Sequence, residues 1–399
     1  MKKLLIGTSM AAMAAIAAFA VTAASAEDIK LGVILGYTGP IESLTPDMAA
    51  GAELAIKEVS MSGALLGGSK VMPVRGDTTC TDSAAATAAT ERLVTSDKIK
   101  AIVGGDCSGV TTAMLQNVAL ANGIVMISPS APSPALSSIE DNGLFFRTAP
   151  SDARQGQVLT AILKEKGVKS AALTYTNNDY GKGLANSIKM NFEKAGGKIT
   201  ISAAHEDGKA DYTAEVGALA AAGGDVLIVA GYLDQGGKGI IQAALDTGAF
   251  ETFVLPDGMI GDSLPMAIGA DLNGSYGTVP GTDSPGAAKF GDMAKAAGFK
   301  AGPFASESYD AAALIMLAMQ SAKSSQSKMF KDKLLGVANA PGTKIYPGEL
   351  AKGLKIIAGG GEVDYVGASA VELIGPGESA GNYREILVSG GKNTTARFR

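Results

Sequence analysis

The residues best placed to do chemistry lie within one stretch, 101–134, which reads AIVGGDCSGVTTAMLQNVALANGIVMISPSAPSP. Apolar runs at 101–103 and 124–127 predict two buried parallel strands, each followed by a polar turn. Ser108 stands where the intervening helix should begin, and Ser130 stands in the turn after the second strand. Ligands bind beyond the carboxyl ends of parallel strands, and the free N–H groups at a helix start attract anions. The pattern therefore predicts a binding site for a small anion such as a carboxylate.

The same stretch contains a segment that could be mistaken for a catalytic motif. Residues 105–109, GDCSG, have the glycine–nucleophile–glycine spacing that hydrolases place after a strand. Cys107 would then need a histidine base oriented by an acid. The single histidine, His205, lies elsewhere in the chain without an obvious partner acid, and we expect it at the surface. Residues 36–40 also lack the spacing of a dinucleotide-binding turn. We therefore expect no enzyme activity, no cofactor and no metal.

The amino-terminal 26 residues predict a secretory signal peptide. Lys2 and Lys3 precede an apolar stretch, and the small residues 24–26 form a cleavage box, so the mature chain should begin at Glu27. An uncleaved membrane helix is the alternative, which the small-residue exit disfavours. The mature chain would hold 32 basic and 39 acidic residues, a net charge of −7 without a basic stripe. We predict a periplasmic protein that does not bind nucleic acid.

The chain has two cysteines, Cys80 and Cys107. In an exported protein a disulfide between them is the leading interpretation, and two separate buried thiols are the alternative. The chain-entropy estimate for a loop of this length is roughly 3 to 4 kcal/mol. Without nearby histidines, the two cysteines are a poor metal site.

Strands and helices alternate along the mature chain, which predicts an α/β fold with two doubly wound lobes. The first series has predicted strands at 29–35, 70–75, 101–103 and 124–127, and predicted helices at 46–60, 83–96 and 108–121. The pattern restarts near 145–150. The second series has predicted helices at 155–166, 180–195, 212–222 and 236–247, and predicted strands at 170–175, 199–203, 226–230 and 252–255.

The remainder of the chain predicts crossings between the lobes. The predicted elements there are a return strand at 275–281, helices at 306–322 and 347–356, extended pieces at 363–366 and 371–373, and a last strand at 383–388 before a polar tail. Two α/β lobes joined by several crossings imply a hinge and a cleft.

Polar and aromatic residues also follow predicted strands of the second series. Tyr180, Tyr232 and Asp257 stand at these strand exits, opposite Ser108 and Ser130 of the first series. Together they predict two facing walls. Hydroxyl and helix N–H groups would bind a carboxylate, a lone carboxylate would bind a cation, and the aromatic rings would contact the body of the ligand.

In the order and spacing of its motifs the chain resembles the periplasmic leucine/isoleucine/valine-binding proteins. The motifs are EDIKLGVILGYTGP, GGDCSG, MISPSAPSPAL, TNNDYGKGLA, VAGYLDQ, LPDG and SESYDAAAL, and the resemblance covers essentially the whole mature chain. These proteins are the substrate-binding subunits of branched-chain amino-acid ABC transporters. The resemblance implies a type I periplasmic-binding fold, with two Rossmann-like lobes, a three-crossing hinge and closure on the ligand. It also implies the Cys80–Cys107 disulfide.

The resemblance gives expected lobe boundaries. The amino-terminal lobe would comprise 27–148 and about 279–366, and the carboxyl-terminal lobe 149–278 and about 367–399. The three crossings would then lie near 149–150, 278–280 and 367.

The resemblance also assigns roles to single residues. Ser108 matches the serine that binds the ligand carboxylate, and Ser130 matches a residue that supplies a backbone contact. Asp257 stands where the family has an acid that pairs with the ammonium group, and its side chain is one methylene shorter. Tyr180 and Tyr232 match the tyrosines of the family's two aromatic motifs.

Two positions depart from the family pattern. Pro132 stands where a threonine helps to hold both ends of the amino acid, and it offers neither a hydroxyl nor an N–H group. Leu44 stands where the family has an aromatic residue. The resemblance to a binding protein survives these changes, but they leave the exact ligand open.

We therefore predict a binding protein that delivers a branched-chain or other small amino acid to an ABC permease in the membrane. The alternatives are a binding protein for an amide or an aromatic acid, and a ligand-sensing receptor module of the same fold. Neighbouring permease and ATPase genes would distinguish transport from sensing.

Overall fold

The computed structural model describes residues 26–399 and arranges them in two α/β lobes, each built on a seven-stranded sheet. The predicted signal peptide lies outside the described residues, apart from Ala26 at its expected cleavage site. No helix within 26–399 combines the length and the hydropathy needed to cross a membrane.

The first lobe has five parallel strands in the order β2-β1-β3-β4-β5. Its elements are β1 (Asp28–Leu35), α1 (Thr45–Ser62), β2 (Lys70–Asp77), α2 (Ser83–Thr95), β3 (Ala101–Gly104), α3 (Ser108–Met114), α4 (Leu120–Asn122), β4 (Val125–Ser128) and β5 (Phe145–Pro150). A π-helical turn over Leu115–Ala119 joins α3 to α4, so the predicted helix is continuous but not regular. The strand order reverses between β1 and β3, which makes this the switch point of the sheet.

The second lobe repeats the order, β7-β6-β8-β9-β10, with its switch point between β6 and β8. Its elements are α5 (Asp152–Glu165), β6 (Ser170–Thr176), α6 (Asp179–Lys194), β7 (Lys198–His205), α7 (Thr213–Ala222), β8 (Val226–Ala230), α8 (Gly236–Thr247), β9 (Phe253–Leu255), α9 (Ser263–Ile268) and β10 (Tyr276–Pro280).

The last third of the chain completes both lobes. Its elements are α10 (Pro285–Ala297), α11 (Ala305–Ala322), α12 (Ser327–Phe330), α13 (Leu334–Ala338), β11 (Thr343–Ile345), α14 (Leu350–Ala358), β12 (Val363–Tyr365), β13 (Leu373–Ile374), β14 (Glu378–Ser379), β15 (Tyr383–Ser389) and β16 (Lys392–Phe398). Helix α11 is buried on every face because it packs between α1 and the sheet of the first lobe.

The predicted two-lobed, doubly wound fold is confirmed, and local chemistry explains why many elements begin and end where predicted. The Asn178 side chain caps α6 by accepting the N–H of Gly181 at 3.0 Å. Gly123 ends α4 in the left-handed region, with φ of 63°, where a glycine pays no steric penalty.

The third crossing lies at 380–382, so the predicted crossing near 367 is wrong. Residues 373–379 were expected in the carboxyl-terminal lobe, but β13 and β14 extend the first sheet beside β5. A buried ion pair between Arg147 and Glu378 holds β14 against β5. The predicted extended piece at 371–373 overlaps β13 only at Leu373, and strands of two residues are too short to show a periodicity.

The prediction that 383–388 is the last strand is also wrong, because the expected polar tail contains the edge strand β16, antiparallel to β15. Five of its seven side chains are charged or polar, as is common for edge strands exposed to water. Arg397 and Arg399 both pair with Glu385, at 2.8 and 2.7 Å, and so fasten this strand.

His205 was expected at the surface and is buried, with 1% of its area exposed. Its Nδ1 lies 2.8 Å from the Thr174 hydroxyl. Burial lowers the pKa of His205 to about 4, so the ring is neutral at physiological pH. The sequence failed here because an isolated polar residue at a strand end carries no signal of its burial.

Candidate functional site

A small cavity lies between the lobes, at the facing switch points of the two sheets. All seven residues predicted to bind ligand line it: Leu44, Ser108, Ser130, Pro132, Tyr180, Tyr232 and Asp257. The other lining residues are Ile41, Asp106, Cys107, Gly258 and Phe304.

Ser108 forms the wall of the first lobe at the start of α3. It is completely buried, and its Oγ accepts the N–H of Ser133 at 3.1 Å. The hydroxyl hydrogen remains free to be donated to a ligand, beside the N–H groups of the first helical turn. These groups form a compact set of donors suited to a carboxylate.

The Cys80–Cys107 disulfide is present in the structure, as predicted, and it anchors this wall. It joins the loop after β2 to the loop after β3, with the two Cα atoms 5.2 Å apart. Because Cys107 immediately precedes Ser108, the disulfide fixes the position at which α3 begins.

Ser130 contributes its backbone more than its hydroxyl. The hydroxyl donates to the carbonyl of Asp106 at 2.6 Å, so it is engaged in the protein framework. The N–H of Ser130 donates to Ser128 Oγ at 3.3 Å, a long bond. The weakly bonded N–H is therefore the Ser130 group that remains available to a ligand.

Asp106 lines the cavity and was missed by the sequence analysis. Its carboxylate accepts the N–H of Gly36 at 2.7 Å and the N–H of Cys107 at 3.1 Å, and Thr78 Oγ1 lies 3.4 Å away. Burial raises its pKa to about 6, although these hydrogen bonds favour the charged form. The residue ties together the loops after β1, β2 and β3. Its place at a strand exit beside Ser108 was the available signal.

Asp257 forms the opposite wall, at the start of a 3-10 turn after β9. Its Oδ1 accepts hydrogen bonds from the Tyr180 hydroxyl and the N–H of Gly258, both at 2.8 Å. Its Oδ2 accepts no hydrogen bond from any described residue. Burial raises the pKa of Asp257 to about 6. A buried carboxylate with one free oxygen can bind a ligand cation such as an ammonium group.

Tyr180 and Tyr232 form a stacked aromatic pair beside Asp257. Their ring centroids lie 5.2 Å apart, and the rings are inclined by 17°. Burial raises the pKa of both phenols well above the usual value, so both are neutral. The pair gives the cavity a flat apolar face with a hydroxyl at its edge.

The remaining wall is apolar and includes a residue that sequence reasoning missed. Leu44, Ile41 and Pro132 line it together with Phe304, which precedes α11. Phe304 has φ of 61°, in the left-handed region that bulky residues rarely adopt. A strained backbone conformation persists only where the surrounding structure enforces it. Here this conformation places the Phe304 ring in the cavity lining. No sequence pattern indicates this conformation.

The two lobes contact each other directly beside the cavity. The N–H of Ser43, in the first lobe, donates to Asp234 Oδ2 of the second lobe at 2.9 Å. In return, the N–H of Asp234 donates to the carbonyl of Pro40 at 3.1 Å. The Ser263 hydroxyl donates to Asp234 Oδ1 at 2.6 Å within the second lobe, and its Oγ lies 3.1 Å from Ser43 Oγ of the first lobe. We refer to Pro40, Ser43, Asp234 and Ser263 as the interlobe clasp, and it holds the lobes in a closed arrangement.

Residues 28–347 match the profile of the family described as periplasmic binding protein. A Leu/Ile/Val-binding protein from Citrobacter freundii is 31% identical over 258 residues, which cover 64% of this chain and 69% of that protein. A leucine-, isoleucine-, valine-, threonine- and alanine-binding protein from Pseudomonas aeruginosa is 30% identical over 258 residues, 64% of this chain and 67% of that protein.

Solved structures share the fold. A leucine binding protein from Thermotoga maritima superposes with a TM-score of 0.79 at 21% identity, over 93% of this chain and 98% of that chain. A branched-chain amino acid transporter substrate binding protein from Streptococcus pneumoniae, in complex with isoleucine, superposes with a TM-score of 0.77 at 24% identity. The match covers 93% of this chain and 99% of that chain. An ABC transporter solute binding protein from R. palustris, in complex with benzoate, superposes with a TM-score of 0.73 at 20% identity. The match covers 93% of this chain and 96% of that chain.

Proposed function

The chain belongs to the periplasmic binding protein family, and from that premise we propose that it is the solute-binding component of an ABC transporter for a branched-chain or other small amino acid. It binds the amino acid between its lobes in the periplasm. The closed, loaded form then docks on the membrane permease and delivers the ligand.

One observation carries this proposal: groups complementary to the two charged ends of an α-amino acid face each other across one small cavity. Ser108 and the start of α3 offer donors for the carboxylate on the first lobe. Asp257 offers a free carboxylate oxygen for the ammonium group on the second lobe. The apolar wall at Leu44 and Phe304 suits an aliphatic side chain.

The cavity is suited to binding and not to catalysis. The relatives are named as binding proteins, and none of the residues that line the cavity is a histidine. A hydrolase of the serine–histidine kind would need a histidine to activate the Ser108 hydroxyl, and the cavity lining supplies none. The ligand leaves the protein unchanged.

Closure requires the lobes to move as bodies about the three crossings after β5, β10 and β14. We take 27–148 with about 279–379 as one lobe, and 149–278 with about 380–399 as the other. The interlobe clasp supports this proposal, because its hydrogen bonds must break when the cleft opens.

An aromatic acid is the second candidate ligand, and two residues favour it. Pro132 has no hydroxyl for an ammonium group, and Leu44 is smaller than the aromatic residue that the family resemblance leads us to expect there. The R. palustris structure contains benzoate, a carboxylate without an amine. Two further alternatives use the same cavity. The ligand could be an amide, or the protein could be a receptor module that senses its ligand.

A thermal-shift screen tests the proposal. Leucine, isoleucine, valine, threonine and alanine are compared with leucinamide and benzoate on the exported protein. A ligand at about 100 times its Kd stabilises the protein by about 2.7 kcal/mol, which is a clear shift in melting temperature. We expect the aliphatic amino acids to stabilise most. Stabilisation by benzoate or leucinamide alone would contradict the amino-acid proposal.

A further inference from the structure

We propose that Asp152 and Asp257 hold one proton between them until a ligand ammonium group arrives, and that ligand binding releases this proton to solvent. Asp152 would then be a positioning residue that acts on the ligand through Asp257. The inference rests on the proposed function, since it requires a ligand with an ammonium group.

The two carboxyl groups are joined by one buried amide. Asp152 is the first residue of α5, immediately after the first crossing, and its N–H donates to the carbonyl of Pro132 at 2.8 Å. In the orientation that satisfies its neighbours, the Gln155 side-chain nitrogen donates to Oδ1 of Asp152 and to Oδ1 of Asp257, both at 3.2 Å. The Gln155 oxygen accepts the N–H of Asp257 at 3.2 Å and the Thr278 hydroxyl at 3.3 Å. Gln155 therefore fixes both carboxyl groups in one network.

Neither carboxyl group forms an ion pair with a lysine, arginine or histidine among residues 26–399. Asp152 is completely buried, and its Oδ2 has no hydrogen-bond partner among the described residues. Arg147 is the buried cation whose charge acts on Asp152, but it makes no ion pair with Asp152 within 4.0 Å. Arg147 instead donates to the carbonyls of Ala131 and Ser133 and pairs with Glu378. Two ionised carboxylates in this dry site would repel each other without compensation.

The other groups that face the pair do not supply a charge. They are the phenols of Tyr180 on α6, Tyr232 after β8 and Tyr383 on β15, and burial raises the pKa of each well above the usual value. Arg154, on α5 itself, is exposed to water.

The titration behaviour agrees with the geometry. Burial and then the charge of Asp257 raise the pKa of Asp152 well above its usual range, although Arg147 lowers it. Burial raises the pKa of Asp257 to about 6. Two carboxyl groups so placed titrate as a pair, with one proton retained beyond the usual pH.

A ligand ammonium group supplies the missing cation at the free Oδ2 of Asp257. The ligand keeps its three ammonium protons, the pair gives up its single proton to solvent, and the second negative charge of the pair is balanced by the ligand. Binding that releases one proton becomes up to tenfold tighter for each unit of rising pH.

Calorimetry with leucine tests this. Titrations near pH 6, in buffers with different heats of ionisation, count the protons released. We expect close to one proton per leucine, and an affinity that rises between about pH 5 and pH 7 by as much as tenfold per unit. Leucine binding without proton release and with constant affinity would overturn the proposal.

Two variants separate the pair from general effects of buried acids. Asp152→Asn keeps the side-chain shape but removes one carboxyl group, so leucine should bind with little proton release and a flat pH profile. Asp207→Asn is the control, because Asp207 is a partly buried carboxyl outside the cavity that accepts hydrogen bonds from the Thr176 hydroxyl and the N–H of Gly236. Its proton release should match that of the wild type. A wild-type pH profile in Asp152→Asn would contradict the assignment.

A measurement without ligand keeps the inference testable if Asp152→Asn does not fold. Carbon-13 NMR of labelled aspartate in the wild type should show two carboxyl groups that titrate together and retain one proton above about pH 5. If both carboxyl groups instead titrate independently near pH 4, the usual value for aspartate, the proposal that they share a proton is wrong. If no amino acid binds, the proposed function fails, and this titration still decides whether the pair shares a proton.

Discussion

The cavity presents different chemistry at its two polar walls, and single residues test each wall. Ser108 and the N–H groups of α3 can bind a carboxylate without any formal positive charge. Asp257 instead offers a formal negative charge in a dry site. Removing a neutral donor should therefore cost less than removing the carboxylate.

Ser108→Ala should weaken leucine binding by about 1 to 2 kcal/mol, the scale of one hydrogen bond to a charged group. The helix N–H groups remain, so binding should not be lost. Calorimetry measures the change. The matched control is Ser284→Ala, which removes another helix-start serine outside the cavity, and its affinity should be unchanged. Unchanged affinity for leucine in Ser108→Ala would show that the Ser108 hydroxyl does not contribute to binding.

Phe304→Ala should weaken binding of leucine more than binding of alanine, because the ring closes the apolar wall that contacts the ligand side chain. Losing burial of a large side chain costs about 1 to 3 kcal/mol. Competition binding with the two amino acids measures the ratio. Equal losses for both would show that the ring does not contact the ligand side chain.

The site residues at strand exits could be predicted from the sequence, whereas those placed by contacts between distant elements could not. Ser108, Tyr180 and Asp257 follow recognisable strands, and all three line the cavity. Phe304 reaches the cavity through an unusual backbone angle, and Gln155 lies inside an ordinary amphipathic helix. Local patterns cannot indicate a position that is decided by contacts between distant elements.

At the scale of elements, the disulfide fixes the start of α3 in one wall of the cavity, and the interlobe clasp holds the two walls together.

Strand and helix periodicity predicted most elements because buried strands and amphipathic helices have regular patterns. The short strands β13 and β14 and the edge strand β16 have none, and they were missed or misassigned.

The exported protein should contain no free thiol, since Cys80 and Cys107 are joined. Replacing both cysteines with serine should lower the free energy of unfolding by roughly 3 to 4 kcal/mol, because the loop of the unfolded chain is then unconstrained. Denaturant unfolding measures the loss, and alkylation with mass spectrometry counts the thiols. Two alkylated cysteines in the unreduced native protein would contradict the disulfide.

Asp234→Ala should weaken the closed form without touching the ligand, because Asp234 accepts the N–H of Ser43 and the hydroxyl of Ser263. Small-angle scattering should show that leucine reduces the radius of gyration of the wild type, and less completely that of the variant. Asp246→Ala, at an exposed residue bonded to Gln242, is the control. A radius that leucine leaves unchanged in the wild type would refute closure about the hinge.

At the scale of the whole molecule, buried acids govern how stability depends on pH. Burial raises the pKa of Asp106, Asp257 and Asp310 to about 6 and that of Glu307 to about 7. In each case the folded state binds the proton more tightly than the unfolded state does. Their contribution to stability is complete below the unfolded pKa, about 4, and is lost as pH rises through 6 to 7.

The free energy of unfolding of the ligand-free protein should therefore fall between about pH 5 and pH 7. His205, with its pKa lowered to about 4, acts in the opposite direction, because the unfolded state binds its proton more tightly. One histidine offsets only part of the effect of four acids. Thermal or denaturant unfolding across this range measures the slope. Rising stability between pH 5 and pH 7 would contradict it.

The central claim is that this cavity recognises both charged ends of an amino acid, and one calorimetric comparison tests it most directly. Leucine and 4-methylpentanoate, the same skeleton without the amine, are titrated into the wild type and into Asp257→Asn. The account predicts that the variant loses about 2 to 5 kcal/mol for leucine, because the ammonium group is left unpaired in a dry site. It also predicts little change for 4-methylpentanoate. Wild-type affinity for leucine in Asp257→Asn would contradict the ammonium role and the amino-acid assignment with it.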